Sequence, residues 1–233
     1  MRSPSNQFIT ELTADQSPTL RSVQFIEGVI VPESMHHSGG AAAETEYIYG
    51  EAIRLGLSIQ KNLNFLVVGL GLGYIEILIS SLACGQNISS FEIDPELRNN
   101  FQNWINGSDE FEIYNQVCKA LKFDSEFARQ SFQKNNLALN AELNLQTKFE
   151  QKNHIICFDA FSAKTSGSLW TEEFLENFIL NACALDCIFT TYACTGLLKR
   201  VLVKHSFQLN PRAGFTGKRD STLAVRGLFV KKN

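Results

Sequence analysis

Residues 63–76 read LNFLVVGLGLGYIE, an apolar run that ends in three glycines separated by single residues. The apolar residues 64–68 predict a short buried strand, and residues 74–82 predict the helix that follows the turn. A strand that ends in a glycine-rich turn and continues as a helix typically holds a nucleotide-like ligand, because glycines let the backbone approach that ligand closely. This stretch therefore predicts an α/β fold with its ligand at the turn.

The spacing of the three glycines separates two classes of ligand. A dinucleotide fingerprint reads G-x-G-x-x-G, so its third glycine would stand at residue 74 or 76, and neither position is glycine. The pattern that remains, Gly69-x-Gly71-x-Gly73, is the spacing found in Rossmann-like methyltransferases, which hold S-adenosylmethionine. A tight turn without any ligand is the alternative interpretation.

Acidic residues follow two other predicted strands. Glu92 stands near the end of the second strand, where its carboxylate can accept hydrogen bonds from both hydroxyls of a ribose. Asp94 is predicted to cap the helix that follows. Asp159 ends a later buried strand, and Phe161 and Trp170 would wall an apolar slot in which its carboxylate faces a cation. Such strand ends are where doubly wound folds place their chemistry.

From residue 61 onwards the chain alternates predicted strands and helices, which indicates a doubly wound, mostly parallel sheet. Residues 117–135 are predicted to form one helix, and residues 207–209 and 223–230 a closing antiparallel hairpin. Residues 1–60 read as a strand-rich cap that passes into a helix. We therefore predict a Rossmann-like class I methyltransferase fold at residues 61–233, with a strand-rich N-terminal extension in the same structural unit.

The composition is that of an ordinary globular protein, with 44% hydrophobic and 19% charged residues and a formal net charge of −3. No apolar run of membrane-spanning length and no signal-like segment is present, which predicts a cytoplasmic protein. The six cysteines form no CxxC pair and have no histidine pair close by, so we expect reduced thiols and no metal site. Residues 196–233 hold nine Lys and Arg residues against one acid, Asp220, so a basic C-terminal face could attract phosphates.

Four stretches together resemble one family of tRNA-modifying enzymes. They are LTADQSPTL (12–20), MHHSGGAAAETEYIYGEAI (35–53), DAFSAKTSGSLWTEEF (159–174) and TTYACTGLLKRVLVKHSFQLNPRAGFTGKRD (190–220). In this order they are similar to motifs of the MnmC-type methyltransferase domain, which completes 5-methylaminomethyl-uridine at the tRNA wobble position. The resemblance implies a standalone S-adenosylmethionine-dependent N-methyltransferase that acts on the 5-aminomethyl group of wobble uridine, with tRNA as its partner.

The resemblance also assigns roles to individual residues. It implies that Asp159 is catalytic and faces the substrate amine. It implies that the cofactor is bound by Gly69, Gly71, Gly73, Glu92, Glu44, Thr45 and Tyr47. On the substrate side, Phe161 and Trp170 would contact the acceptor, and Lys218 and Arg219 would contact RNA phosphate or brace the last hairpin.

The chain departs from the family pattern in the loop after Asp159. Ala163 and Gly167 replace family prolines and Ser166 replaces an asparagine, which predicts a looser loop. The acid that the family places near the adenine corresponds to Asn140. With 233 residues the chain has no room for the flavin oxidase domain of bifunctional relatives, so we expect a separate enzyme to supply aminomethyl-uridine.

Two other functions stay open at this stage. AETEYIYGE (43–51) resembles a stretch of aminopropyltransferases of the spermidine-synthase type, although the glycine turn of that family reads G-G-G-[DE]-G. A catalytically decayed RNA-binding module would explain the lost prolines, but the retained Asp159, Glu92 and Trp170 argue against it.

Overall fold

The structure is a computed structural model that describes residues 7–23, 25–26, 29–30, 32–108, 110–217 and 220–230. Its N-terminal part contains two small antiparallel sheets followed by helical segments. The first sheet pairs β1 (Phe8–Leu12) with β2 (Pro18–Ser22), and the second pairs β3 (Phe25–Ile26) with β4 (Val29–Ile30). Helix α1 (Ala41–Thr45) continues through a π-helical turn (Glu46–Gly50) into α2 (Glu51–Ile59).

The rest of the chain alternates strands and helices around one sheet. In chain order the elements are β5 (Asn64–Val68), α3 (Tyr74–Leu82), β6 (Asn87–Phe91), α4 (Pro95–Ile105), α5 (Ile113–Ala120), α6 (Ser125–Phe132), β7 (Asn136–Asn140), β8 (Asn153–Phe158), α7 (Glu172–Ala182), β9 (Cys183–Thr191), α8 (Gly196–Lys204), β10 (Gln208–Arg212) and β11 (Ser221–Arg226). Short 3-10 turns lie at Gly167–Trp170, Phe215–Gly217 and Gly227–Phe229.

The central sheet has seven strands in the order β10-β11-β9-β8-β5-β6-β7. Strands β7, β6, β5, β8 and β9 are parallel neighbours, whereas β11 runs antiparallel to both β9 and β10. The strand order reverses at β5, and a doubly wound sheet offers its ligand site outside the carboxyl ends of the strands at such a point. The predicted Rossmann-like, mostly parallel sheet with a closing antiparallel hairpin is confirmed.

Two of the helices begin at side-chain caps, and the sequence predicts the first of them, Asp94. Asp94 accepts hydrogen bonds from two backbone amides in the first turn of α4, at 2.7 and 3.2 Å, and Pro95 at the first helical position has no amide to satisfy. Thr171 caps α7 by accepting a hydrogen bond from the amide of Phe174 at 3.2 Å. These caps fix the start of the helices that follow β6 and β8.

Residues 117–135 do not form one helix, so that prediction is wrong. The structure has α5 and α6 here, separated by a turn. Lys122 in the turn has a φ of 64°, a left-handed conformation that ends a helix. Asp124 then caps α6 by accepting from the amide of Phe127 at 2.9 Å. The apolar spacing runs across the break because both helices pack into the same hydrophobic cluster.

Two of the nine basic residues near the C-terminus point inwards. Arg212 donates to the backbone carbonyls of Ile48 at 3.0 Å and Thr222 at 3.2 Å. Arg226 donates to the backbone carbonyl of Ala184 at 2.7 Å. Both guanidiniums brace the closing hairpin, so the basic surface is smaller than the count of charged residues predicts.

The sheet carries a hydrophobic cluster on each face. Phe65 and Val67 of β5 point into one cluster, and the intervening Leu66 points into the other. Leu20 and Ile48 of the N-terminal part are buried in the same cluster as Phe65. The N-terminal part therefore packs directly on the sheet, while a domain boundary at residue 60 stays a prediction.

The cysteines are unpaired, as the sequence predicts. Four of them, Cys118, Cys157, Cys183 and Cys187, are buried, Cys194 is half-buried and Cys84 is exposed. None of the helices in the described ranges is long and apolar enough to cross a membrane.

Candidate functional site

The glycine turn between β5 and α3 adopts the left-handed region, with φ of 94° at Gly69, 52° at Gly71 and 70° at Gly73. A β-carbon at Gly69 would lie 2.5 Å from the backbone oxygen of Asp159, and one at Gly73 would lie 2.3 Å from the ring of Phe101. These two glycines are needed for close packing between elements. At Gly71 a β-carbon would meet only the flexible end of a methionine side chain, at 2.9 Å. Gly71 is therefore the glycine that leaves room for a ligand.

A cavity of about 450 Å³, here the central cavity, lies at the carboxyl ends of β5, β6, β7 and β8. Its wall includes Gly69, Gly71, Glu92, Glu142, Asp159 and Thr45. The structure thus brings together residues from four strand ends and from α1. Gly73 is not part of the described wall, and it lies instead against the ring of Phe101 in α4.

Glu92 is held in the wall of the central cavity by the backbone. Its carboxylate accepts hydrogen bonds from the amides of Gly71 at 3.1 Å and Asp94 at 3.0 Å. Burial raises the pKa of Glu92, and these two amides lower it because they stabilise the charged form. Each carboxylate oxygen keeps a further lone pair, so Glu92 can still accept hydrogen bonds from the hydroxyls of a ligand.

Asp159 directly follows β8 and lies in the wall of the same cavity. Its carboxylate accepts a hydrogen bond of 2.5 Å from the hydroxyl of Tyr49. Burial raises the pKa of Asp159 well above its usual value, the Tyr49 hydrogen bond lowers it, and the charges of Glu44 and Glu76 raise it further. A raised pKa means that the ionised carboxylate binds a proton more strongly than an ordinary one, so in its ionised form Asp159 is a stronger base towards a ligand.

Helix α1 contributes Glu44 and Thr45 to the cavity wall. Thr45 Oγ1 is buried and has no hydrogen-bond partner among the described residues, so it is available to a polar atom of a ligand. Glu44 accepts a hydrogen bond from the amide of His37 at 2.6 Å. Tyr47, by contrast, lies outside the described cavity wall, and its hydroxyl donates to the carbonyl of Ala213 at 3.0 Å. The structure offers no contact that supports the cofactor role predicted for Tyr47.

The acidic residue that lines the cavity after β7 is Glu142, whereas the sequence resemblance pointed to Asn140. Asn140 uses its side-chain amide within the sheet, where it donates to Ser89 Oγ at 2.9 Å and to the carbonyl of Ser90 at 3.3 Å. Glu142 lies two residues further along, exposed in the wall of the central cavity. Within the described wall the acidic residue after β7 is therefore Glu142, and a contact with adenine stays a prediction.

The loop after Asp159 is anchored by Glu33 of the N-terminal part. The carboxylate of Glu33 accepts hydrogen bonds from the amide of Ser162 at 2.9 Å, from the hydroxyl of the same residue at 3.1 Å, and from the hydroxyl of Thr165. The missing family prolines predict a looser loop, whereas these contacts constrain it.

Two aromatic side chains hold the start of the same loop. Tyr192 donates its hydroxyl to the carbonyl of Ala160 at 2.9 Å. Trp170 donates its indole N–H to the carbonyl of Phe161 at 2.7 Å. The backbone next to Asp159 is thus fixed from both the β9 end and the 3-10 turn before α7.

A second cleft of about 830 Å³, here the side cleft, adjoins the central cavity. His37, Glu44 and Tyr192 line both spaces and form a shared wall. Of the two aromatic residues predicted to contact substrate, Phe161 lines the central cavity and Trp170 lines the side cleft. The two predicted substrate residues therefore border different spaces.

The walls of both spaces are acidic. The described lining of the central cavity contains no lysine or arginine but six carboxylates, those of Glu33, Glu44, Glu92, Asp94, Glu142 and Asp159. The described lining of the side cleft adds Asp220 and also lacks lysine and arginine. Such walls favour a positively charged ligand over an anionic one.

Two further predictions concern residues away from these walls. Lys218 and Arg219, predicted to contact RNA phosphate, lie outside the described residues. Within the ranges that the structure describes, no group of three or more His, Cys, Asp or Glu side chains is arranged to hold a metal ion.

Sequence reasoning missed Tyr49, Tyr192 and Glu33. Tyr49 carries a signal that could have found it, because it lies four residues after Thr45 and so on the same face of a helix. Glu33 carries none, since its partner Ser162 is 129 positions away.

Comparisons with known proteins agree with the fold and with a methyltransferase. A family model described as S-adenosyl-L-methionine-dependent methyltransferase matches residues 110–227. The crystal structure of MNMC2 from Aquifex aeolicus is similar with a TM-score of 0.69 and 20% identity, over 94% of this chain and 70% of that one. Spermidine synthase from Thermotoga maritima is similar with a TM-score of 0.56 and 15% identity, over 96% and 74% of the two chains. At these identities the structural likeness concerns the fold alone. No curated protein matches by sequence.

Proposed function

The chain belongs to the S-adenosyl-L-methionine-dependent methyltransferases, and from that premise we propose that it methylates the 5-aminomethyl group of the wobble uridine of tRNA, giving 5-methylaminomethyl-uridine. The four motifs that resemble the MnmC-type domain support this substrate, as does the likeness of the fold to MNMC2. The observation that carries the chemistry is the Asp159 carboxyl group, hydrogen-bonded by Tyr49 beside the wall that the two spaces share.

The residues of the central cavity fit S-adenosylmethionine. When bound, this cofactor supplies a methyl group on a positively charged sulfur. Gly71 leaves room for a close approach, Glu92 has lone pairs for the ribose hydroxyls, and the hydroxyl of Thr45 has no partner among the described residues. Glu142 lines the same cavity, and we assign it to the adenine. The acidic wall disfavours a dinucleotide, because its pyrophosphate would face carboxylates and no lysine or arginine of the described lining.

Asp159 prepares the acceptor amine for methylation. An alkyl amine is protonated at neutral pH and has no lone pair for attack until it loses a proton. Asp159, with its pKa raised by burial, accepts that proton directly or through water. After that proton has passed on to water, Asp159 is again a carboxylate and stabilises the positive charge that develops on nitrogen, and Tyr49 keeps the carboxylate oriented.

Nucleoside analysis of tRNA tests the proposal. We expect tRNA that carries 5-aminomethyl-uridine to gain 5-methylaminomethyl-uridine when incubated with the protein and S-adenosylmethionine. Asp159→Asn is expected to bind S-adenosylmethionine in calorimetry but to lower turnover by about 10²–10⁴-fold. Absence of the product with the unmodified protein would refute the proposed function, and unchanged turnover of the variant would refute the role of Asp159.

The proposal includes the cellular setting. The substrate partner is tRNA, a separate enzyme supplies the aminomethyl-uridine, and the reaction takes place in the cytoplasm. Nucleoside analysis of cellular tRNA tests this arrangement. We expect aminomethyl-uridine in tRNA from cells that lack this protein, and its methylated form when the protein is restored.

An aminopropyltransferase is the second candidate. The likeness to spermidine synthase from Thermotoga maritima over 96% of this chain and the acidic walls favour it. The two candidates differ in the donor, so binding of S-adenosylmethionine and of its decarboxylated form should be compared. Preference for the decarboxylated donor, with transfer to a small diamine, would favour the second candidate.

A further inference from the structure

The side cleft is placed to hold a second reactant. His37, Glu44 and Tyr192 separate it from the central cavity, and they line both. A group-transfer reaction requires donor and acceptor to meet in a fixed geometry. An acceptor seated in the side cleft would meet a donor in the central cavity at this shared wall.

Two aromatic side chains give the side cleft a surface suited to a planar ligand. The indole of Trp170 is fixed by its hydrogen bond to the carbonyl of Phe161 and packs edge-on against Phe158, with 5.1 Å between ring centroids. Phe215 also lines the cleft and is half-buried, and the ring of His37 meets it edge-on, with 5.7 Å between ring centroids. Aromatic rings that are held in place bind nucleobases by stacking without needing a particular base edge.

The charges around the side cleft favour a cation inside the cleft and an anion outside it. Glu44 and Asp220 are the charged residues of its described lining. Lys164 and Lys199 lie close in sequence to the lining residues Ala163 and Leu197, but neither lysine is part of the described lining. An ammonium group is therefore favoured inside, whereas phosphates are favoured outside.

We propose that the side cleft binds the acceptor as a pyrimidine nucleoside turned out of the RNA, with its base on Phe215 and Trp170 and its amine at the shared wall, beside Glu44 and directed towards Asp159. This rests on the proposed function and adds the place where the acceptor binds. Enzymes that modify a base in folded nucleic acid turn it out of the stack into such a pocket. The RNA phosphates remain outside the cleft.

Cys194 provides a direct test of occupancy. Its thiol is half-buried in the cleft wall, whereas Cys84 is exposed elsewhere and the other four cysteines are buried. In a Cys84→Ser background, alkylation by N-ethylmaleimide therefore reports on Cys194. Free 5-aminomethyl-uridine should slow this alkylation about tenfold at about ten times its dissociation constant, because only the unoccupied protein reacts. Uridine 5′-monophosphate, which carries a phosphate and no amine, should give no protection.

The same experiment identifies wrong occupants. Equal protection by uridine 5′-monophosphate would overturn the role of charge, and stronger protection by putrescine would overturn the nucleoside in favour of an aliphatic amine. Absence of protection by 5-aminomethyl-uridine would overturn the site itself.

A pair of substitutions tests the stacking surface. Phe215→Leu keeps an apolar side chain but loses the planar ring, so we expect KM for the tRNA to rise about tenfold or more. The dissociation constant of S-adenosylmethionine should stay unchanged, and Phe215→Tyr should restore KM. Phe127→Leu is the matched control, because Phe127 is exposed on α6 and lines neither space. An unchanged KM for Phe215→Leu would refute the proposal.

The two proposals fail in different ways. If 5-aminomethyl-uridine protects Cys194 but tRNA is not methylated, the pocket stands and the proposed function fails. If tRNA is methylated while Phe215→Leu is unaffected and Cys194 is unprotected, the proposed function stands and the side cleft is not the acceptor site.

Discussion

Replacing Tyr49 by phenylalanine tests whether Asp159 accepts the proton of the amine. The hydroxyl of Tyr49 donates to the Asp159 carboxylate at 2.5 Å, and this bond lowers the pKa of Asp159 against burial, which raises it. Tyr49→Phe keeps the ring and removes the bond, so the pKa of Asp159 rises further. A hydrogen bond to a charged group contributes about 1.5–3 kcal/mol, which corresponds to about 10–150-fold less ionised carboxylate at a pH below its pKa.

The expected effect has a definite sign. Only the ionised carboxylate accepts a proton, so turnover falls on the acidic side of its pKa. With the pKa raised further, Tyr49→Phe should lower kcat by about 10–150-fold on the acidic side, and the loss should shrink as the pH rises. The assay is kcat for methylation of aminomethyl-uridine tRNA as a function of pH, with S-adenosylmethionine at saturation.

Tyr192→Phe is the matched control for this measurement. The hydroxyl of Tyr192 donates to the backbone carbonyl of Ala160 at 2.9 Å and not to a carboxylate, so its loss should leave the position of the acidic limb unchanged. A pH-independent loss of kcat in Tyr49→Phe would contradict the reasoning, because it would mean that Tyr49 acts on geometry alone. An unchanged profile would contradict it as well.

Three further changes test other parts of the site. Gly73→Ala should lower the free energy of unfolding in urea by about 2–5 kcal/mol, because residue 73 has a φ of 70° and its β-carbon would lie 2.3 Å from the Phe101 ring; a fully stable variant would show that the helix can shift. Glu76→Gln should flatten the pH dependence of the melting temperature, because burial raises the pKa of Glu76 to about 8. The native state keeps a proton that the unfolded state releases from about pH 4.5 upwards, so the unmodified protein loses stability as the pH rises to about 8. Parallel curves for the two proteins would exclude this titration. Glu33→Gln should weaken the anchoring of the loop after β8 by about 1–3 kcal/mol and speed tryptic cleavage at the exposed Lys164, and an unchanged cleavage rate would show that the loop is held by other contacts.

Much of the fold follows from local sequence patterns. The apolar run before the glycine turn forms β5, and the helix after it begins and ends where the pattern predicts. Asp94 and Thr171 cap the helices that they precede in the sequence. The break between α5 and α6 escaped prediction, because a single left-handed residue, Lys122, interrupts an apolar spacing that continues on both sides.

Only some features of the candidate site can be predicted from the sequence. Glu92 and Asp159 are found from sequence because they stand directly after buried strands, and the carboxyl ends of parallel strands meet at one edge of the sheet. The structure assigns the three glycines different surroundings, and it puts Glu142 in the cavity wall at a place where alignment pointed to Asn140. Those distinctions depend on which neighbour each residue meets.

By itself the sequence determined the fold class, the glycine turn and the carboxylates at the strand ends, because these depend on residues that are close together along the chain. Only the tertiary structure decided that Tyr49 bonds Asp159 across 110 positions and that Glu33 anchors the loop after β8 across 129 or more. It also decided that two acidic spaces share one wall. Contacts between distant segments arise from packing of the whole core, and no local pattern of residue types encodes them.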